Sequence, residues 1–184
     1  MADEAKGFER IAILGGAGVM GQGIALACLQ RSAAHVTIVS SREQTVEGGL
    51  AAIKSGPFGL ERAVARGKIT EEAAADILSR LDGTTDYGKG VDGADLIFET
   101  VPEVTSLKQE ILQQAESLAD PDVVIASNTS SIMISELAAR LEDPSRLVGT
   151  HWFFPSHVMP LVEVSRSELT RRDRLDRVVG YLKA

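Results

Sequence analysis

An α/β fold built on a doubly wound, mostly parallel sheet is what this sequence predicts, and three observations lead to it. Short apolar runs suited to buried parallel strands alternate with helical patterns along the chain. The first run, Ile11-Ala12-Ile13-Leu14, enters the glycine-rich stretch Gly15-Gly16-Ala17-Gly18-Val19-Met20-Gly21 and then a helix, the order of a Rossmann-type unit. No repeat, low-complexity linker or change of composition divides the 184 residues, so residues 1–184 read as one dinucleotide-binding domain.

The elements follow in order. Ile11–Leu14 is a strand and about Gly18 to Arg31 a helix. Val36–Val39 is the second strand. Arg42 to Lys54 is helical, although Gly48 and Gly49 each cost it about 1 kcal/mol. Gly56-Pro57-Phe58-Gly59 breaks that pattern, Leu60 to Ala65 resumes it, and Thr70-Glu71-Glu72 opens a helix to about Leu81. This helical insertion after the second strand exceeds what a minimal crossover needs. Asp95–Glu99 is strand-like and leads through Val101-Pro102 to a helix from Val104 to Leu118. Val123–Ala126, Leu147–Thr150 and Leu161–Val164 are further strands, with a short helix from Ile134 to Leu141 among them. From Leu169 to Ala184 the pattern is helical, and Leu175, Val178, Val179 and Leu182 are expected to form an apolar face without a neighbour. Alternation of this kind gives a parallel sheet covered by helices on both faces.

The glycines Gly16, Gly18 and Gly21 have a physical reading. Gly16 allows a sharp turn, Gly18 lets the backbone approach a pyrophosphate, and Gly21 allows close packing of helix on strand. The diphosphate of a nicotinamide dinucleotide would then rest on the loop from Gly16 to Gly21, with Ala17, Val19 and Met20 supplying backbone at the positive helix end. Roughly 20 residues on, an NAD site carries an acidic residue for the ribose hydroxyls. Here Ser40 stands in its place, followed by Ser41 and Arg42. A hydroxyl does not repel a 2′-phosphate, and a guanidinium offers it charged donors, so NADP(H) is favoured over NAD(H). The competing reading is an NAD site in which Ser41 and Arg42 merely cap the next helix.

Composition sets limits. With 19 basic and 26 acidic residues the net charge is −7, a field that disfavours nucleic acid as a partner. No run of 18 apolar residues suggests a membrane span, Met1–Lys6 carries no apolar leader core, and the chain reads as cytoplasmic. The single cysteine, Cys28, falls on an apolar helix face and reads as a small core residue. No metal-ligand set is expected.

A second group of polar residues lies downstream. Ser127-Asn128-Thr129-Ser130-Ser131 follows a strand, and His151-Trp152-Phe153-Phe154-Pro155 precedes Val162-Glu163-Val164. Polar residues at the carboxyl ends of parallel strands face the crevice where ligands bind. His151 and Glu163, on neighbouring strands, are placed to pair, the carboxylate orienting the imidazole. His35 and His157 read as core histidines and Trp152 as packing.

With the glycine loop, Phe98-Glu99-Thr100-Val101-Pro102-Glu103, Ser127–Ser131 and His151 through Glu163, the chain resembles the N-terminal nucleotide-binding half of the 3-hydroxyacyl-CoA dehydrogenase family from Ile11 to about Tyr181. The resemblance implies that His151 is the general base, Glu163 its partner and Ser130 a hydroxyl on the substrate oxygen. It also implies that Glu103, Lys108 and Asn128 line the cofactor site. The expected activity is hydride transfer between NAD(P) and C3 of a 3-hydroxyacyl or 3-oxoacyl thioester. A dehydrogenase of free β-hydroxy acids or carrier-bound acyl groups, and a non-catalytic nucleotide-binding module, are the alternatives. The chain departs from the family's pattern at Phe154, where the family commonly has Asn, and at Ser40, where it commonly has Asp. The family's helical dimerisation domain is absent from these residues, which alone are expected to fold and bind dinucleotide but to turn substrate over poorly. The full-length form is expected to be a homodimer acting on an acyl-CoA-type substrate.

Overall fold

The computed structural model describes residues 7–184; Met1–Lys6, read above for a leader, lie outside them. Seven strands form one sheet: β1 (Arg10–Leu14), β2 (His35–Val39), β3 (Leu81–Thr84), β4 (Leu96–Glu99), β5 (Val124–Ser127), β6 (Leu147–Trp152) and β7 (Val162–Ser165). Their order is β3-β2-β1-β4-β5-β6-β7. Every pairing is parallel except β6 with β7, which is antiparallel. The chain reverses direction of winding between β1 and β4, and ligands of such sheets bind at that switch point.

Period-two alternation divides the apolar side chains between two cores. Ile11, Ile13, Leu96, Phe98, Val124 and Ala126 bury on one face with α1 (Val19–Arg31), while Ala12, Leu14, Ile97 and Ile125 bury on the other with α6 (Thr105–Leu118). Cys28 is 2 % exposed on the inner side of α1, and burial pushes its thiol up to about 12, so it packs rather than reacts.

The helical insertion comprises α2 (Glu43–Ser55), α3 (Leu60–Ala65) and α4 (Glu71–Ser79). Its two adjacent glycines differ in role. A Cβ at Gly49 would lie 2.8 Å from Ala17, so this glycine lets α2 pack on the glycine loop, whereas nothing stands within 4 Å of one at Gly48.

The sequence pattern passed over two elements, β3 and α5 (Tyr87–Val91). It also overextended others: α4 stops at Ser79, α7 spans only Ile134–Ala138, and α8 begins at Arg172 and ends at Lys183. The expectation that α8 lacks a neighbour is overturned. Val178 is fully buried, and Leu175, Tyr181 and Leu182 pack against the α1 core. The Tyr181 ring meets Phe8 edge-on at 5.2 Å, and the Arg174 guanidinium donates to the carbonyls of Pro121, Asp122 and Val123. Among the described residues no helix is long and apolar enough to cross a membrane.

Candidate functional site

At the switch point the sharp turn falls on Gly15, not Gly16. Gly15 has φ 75°, a region that disfavours side chains, and its Cβ would stand 2.9 Å from the Thr100–Val101 peptide. Gly16 serves packing instead: a Cβ there would lie 2.6 Å from the Ile13 carbonyl oxygen and 2.7 Å from Ile38. Gly21 closes helix on loop, since a Cβ would come within 2.5 Å of Gly16 Cα. Gly18 is different. Its backbone is extended, and an added Cβ would meet only the Gly15 carbonyl oxygen, at 3.2 Å, leaving the space beyond it open.

The first turn of α1 has no side-chain cap and no acidic residue. Its leading N–H groups, of Val19, Met20 and Gly21, precede the first helical bond, in which Gln22 N–H donates to the Gly18 carbonyl. The Gln22 side-chain amide donates to the Ala17 carbonyl at 2.7 Å and braces the loop. Uncapped donors, no opposing carboxylate and open space over Gly18 fit a diphosphate.

Ser40 ends β2 and is 8 % exposed, its N–H donating to Thr84 of β3. Ser41 and Arg42 are exposed. Arg42 occupies the N-cap position of α2 but makes no side-chain cap bond, so the capping role weighed for these residues is not what the structure shows.

The carboxyl ends of β4, β5 and β6 carry a connected polar group. Glu99 is fully buried. Its Oε1 accepts from Lys108 Nζ at 2.8 Å and Val101 N–H at 2.7 Å, and its Oε2 accepts from Ser127 Oγ at 2.5 Å. Lys108 is 1 % exposed, and its ammonium also reaches the Val101 carbonyl at 3.1 Å and Glu103 Oε2 at 3.3 Å. Lys108 is thus committed inside the protein, and Glu103, on the loop before α6, is the group that meets the crevice. Asn128 likewise braces: its Oδ1 accepts from the Trp152 N–H at 2.9 Å, tying the end of β5 to the end of β6. Glu99, Ser127, Thr129 and Ser131 lie in segments that the sequence singles out as polar runs directly after apolar strands, but no role of their own is read for them there.

His151 and Glu163 are partners in the β6–β7 register, and Nδ1 stands 2.9 Å from Oε2. A carboxylate only accepts, so Nδ1–H donates and the Nε2 lone pair is left free. Both residues line an open cavity of about 450 Å³ together with Thr129, Ser130, Ser131 and Arg166. Arg166 was not singled out from sequence. Phe154 lies apart, 54 % exposed, with its ring edge-on to Phe58 of the helical insertion at 5.7 Å. Phe58 also meets His157, whose imidazole is disfavoured in its charged form by burial and then by Lys68. His157 is half-buried with Nδ1 unpartnered, and His35 is exposed at the start of β2, so neither is the satisfied core histidine expected. Trp152 does pack, edge-on to Phe98 at 5.9 Å.

Residues 10–184 match the model of the 3-hydroxyacyl-CoA dehydrogenase NAD binding domain. The chain belongs to the 3-hydroxyacyl-CoA dehydrogenase family. Two solved structures share its fold at a TM-score of 0.89 and 36 % identity. One is FadB2 of M. tuberculosis, with 97 % of this chain and 61 % of that chain covered; the other is the (S)-3-hydroxybutyryl-CoA dehydrogenase PaaH1 of Ralstonia eutropha, with 96 % and 60 % covered. The peroxisomal fatty acid beta-oxidation multifunctional protein AIM1 of Arabidopsis thaliana is 36 % identical over 163 residues, 89 % of this chain and 22 % of that protein. The chain therefore spans under two thirds of these two solved chains and under a quarter of that multifunctional relative. As a member of this family's NAD-binding domain, it carries the nucleotide-binding fold with a nicotinamide-type glycine loop.

Proposed function

We propose that this chain is the nucleotide-binding domain of an enzyme that transfers hydride at C3 of a 3-hydroxyacyl thioester, of the acyl-CoA type, and that His151, Glu163 and Ser130 are the residues that do the proton chemistry. One observation bears most of the weight: the His151–Glu163 pair and Ser130 line a single cavity at the carboxyl edge of the sheet. The glycine loop and the uncapped start of α1 would hold the dinucleotide, with Gly16 through Gly21 beside its diphosphate. A bound nicotinamide supplies the hydride acceptor. In oxidation, His151 Nε2 takes the proton of the 3-hydroxyl as the C3–H bond breaks and the carbonyl forms; in reduction the same imidazolium returns it. Glu163 fixes the ring and stabilises the imidazolium, and Ser130 Oγ donates to the substrate oxygen.

NADP(H) is the favoured cofactor form, supported by Ser40 in place of a carboxylate and by Arg42, exposed beside it and making no side-chain cap bond to α2. We place the protein in the cytoplasm and read its longer form as a homodimer. A second reading, oxidation of a free β-hydroxy acid, draws support from Arg166, a cation among the residues lining the same cavity, whose charge would suit a free carboxylate.

The test, run on the longer form that includes the family's helical domain, is absorbance at the reduced-nicotinamide band with 3-hydroxybutyryl-CoA and free 3-hydroxybutyrate in parallel, each with NADP and NAD. Turnover of the thioester well above that of the free acid is expected. The reverse order would favour the second reading, and no turnover of either would defeat the dehydrogenase reading.

A further inference from the structure

The segment Thr129-Ser130-Ser131 offers three hydroxyls at the mouth of the cavity, and one carboxylate oxygen sorts them. Glu103 Oε1 accepts from Thr129 Oγ1 at 2.6 Å, from Ser131 Oγ at 2.9 Å, and from the backbone N–H groups of Ser130 and Ser131 at 2.9 and 3.0 Å. Ser130 Oγ is left at 3.4 Å, at the limit of a hydrogen bond. Two hydroxyls are thus committed to Glu103 while the third is free to face the cavity. The carboxylate is itself anchored from behind: its other oxygen stands 3.3 Å from the Lys108 ammonium, which the buried Glu99 holds in place at 2.8 Å.

We propose that Glu103 is the positioning residue of Ser130: it holds the loop after β5 by its amides and neighbouring hydroxyls, so that the Ser130 hydroxyl alone is presented to the substrate oxygen. This rests on the dehydrogenase reading above, and it gives Glu103 a task toward the substrate side of the site. Removing a group that merely props the fold would lower stability or binding across the board. Removing a group that aims one hydroxyl lowers kcat through that hydroxyl only.

The experiment is a double-variant cycle with kinetics and an amide readout. In the longer form that includes the helical domain, Glu103→Ala is expected to lower kcat for 3-hydroxybutyryl-CoA about tenfold or more at saturating cofactor. Glu103→Gln, which keeps an acceptor oxygen but not the charge, should restore part of the loss. In a Ser130→Ala background, Glu103→Ala should cost less than about twofold, because its route of action is already gone. Equal losses in both backgrounds, or lost cofactor affinity with kcat intact, would overturn the proposal. Nuclear magnetic resonance of the Ser130 and Ser131 amide protons needs no turnover: both should lie downfield in the parent and move upfield together in Glu103→Ala. An inactive parent protein would count against the dehydrogenase reading alone, and amide shifts indifferent to Glu103→Ala would overturn the positioning role whatever the activity.

Discussion

His151 and Glu163 stand opposite each other in the antiparallel ladder of β6 and β7, with Nδ1 and Oε2 2.9 Å apart. The main-chain register therefore sets their approach, since directly opposed side chains in an antiparallel pair project from the same face. Among the described residues the last strand is the only antiparallel one in the sheet, and that reversal brings a residue twelve positions downstream back beside the histidine. Glu163 is the more open partner, its side chain 64 % exposed against 27 % for His151.

Of Gly15, Gly16, Gly18 and Gly21, Gly18 bears a side chain best, the Gly15 carbonyl having to give by a few tenths of an ångström. Gly18→Val introduces a branched side chain where the backbone is already extended and only the Gly15 carbonyl is near. The fold should survive with its far-ultraviolet circular dichroism unchanged, while calorimetric titration should show dinucleotide binding abolished. Unchanged affinity would remove the diphosphate from this loop.

Cofactor choice should be reversible at the end of β2. Ser40→Asp with Arg42→Ala places a carboxylate by the ribose and removes a charged donor. A hydrogen bond to a charged group is worth about 1.5–3 kcal/mol, so the ratio of NADP(H) to NAD(H) affinity should drop by on the order of tenfold or more. Parent protein that binds NAD at least as tightly as NADP contradicts the assignment.

The Lys108–Glu99 pair is buried at 1 % and 0 % side-chain exposure. Lys108→Met leaves Glu99 in the interior without its cation, a change that typically costs about 3–5 kcal/mol. Urea denaturation should report a loss of that size. A loss under about 1 kcal/mol would mean that water or a rearranged neighbour already compensates Glu99.

Glu103 gives the pH dependence its sign. Burial opposes its ionisation, but hydrogen bonds from Thr129, Ser130 and Ser131 and the nearby Lys108 outweigh that and hold the carboxyl down at about 2. The unfolded chain takes up this proton near the ordinary value of about 4.3. The unfolded state therefore binds more protons between these limits, and the stabilisation from Glu103 is complete above the upper one and lost as pH falls toward the lower. The carboxyl carbon resonance of Glu103 should still show an ionised group at pH about 3.5; an inflection near the ordinary value would break the account of the Ser130 loop.

What the sequence made legible was the part governed by local pattern. Ile11–Leu14 announces β1 through four consecutive apolar residues, and the spacing of Gly16, Gly18 and Gly21 announces the loop that follows. β3 escaped because Leu81-Asp82-Gly83-Thr84 holds one large apolar residue in a half-exposed edge strand, and α5 because Tyr87-Gly88-Lys89-Gly90-Val91 contains two glycines in five positions. Gly15 was passed over as the turn because the motif names its neighbour, and only the approach of Thr100 from β4 shows which glycine needs a positive φ. The bonds among Glu99, Lys108, Glu103 and the Ser130 loop join residues 5 to 28 positions apart through three elements. No periodicity encodes such a cluster. It exists because parallel strands end together at one edge of the sheet.

The central claim is that His151 moves the proton that accompanies hydride transfer. Steady-state oxidation of 3-hydroxybutyryl-CoA by the longer form that includes the family's helical domain, with and without His151→Ala, at saturating cofactor, tests it most directly. General acid–base catalysis is worth about 10²–10⁴-fold, so kcat should fall by a factor in that range while dinucleotide affinity stays nearly constant. Glu163→Gln, which keeps a hydrogen-bond acceptor beside Nδ1, should lose less. A His151→Ala protein that retains activity within about threefold of the parent would contradict the account.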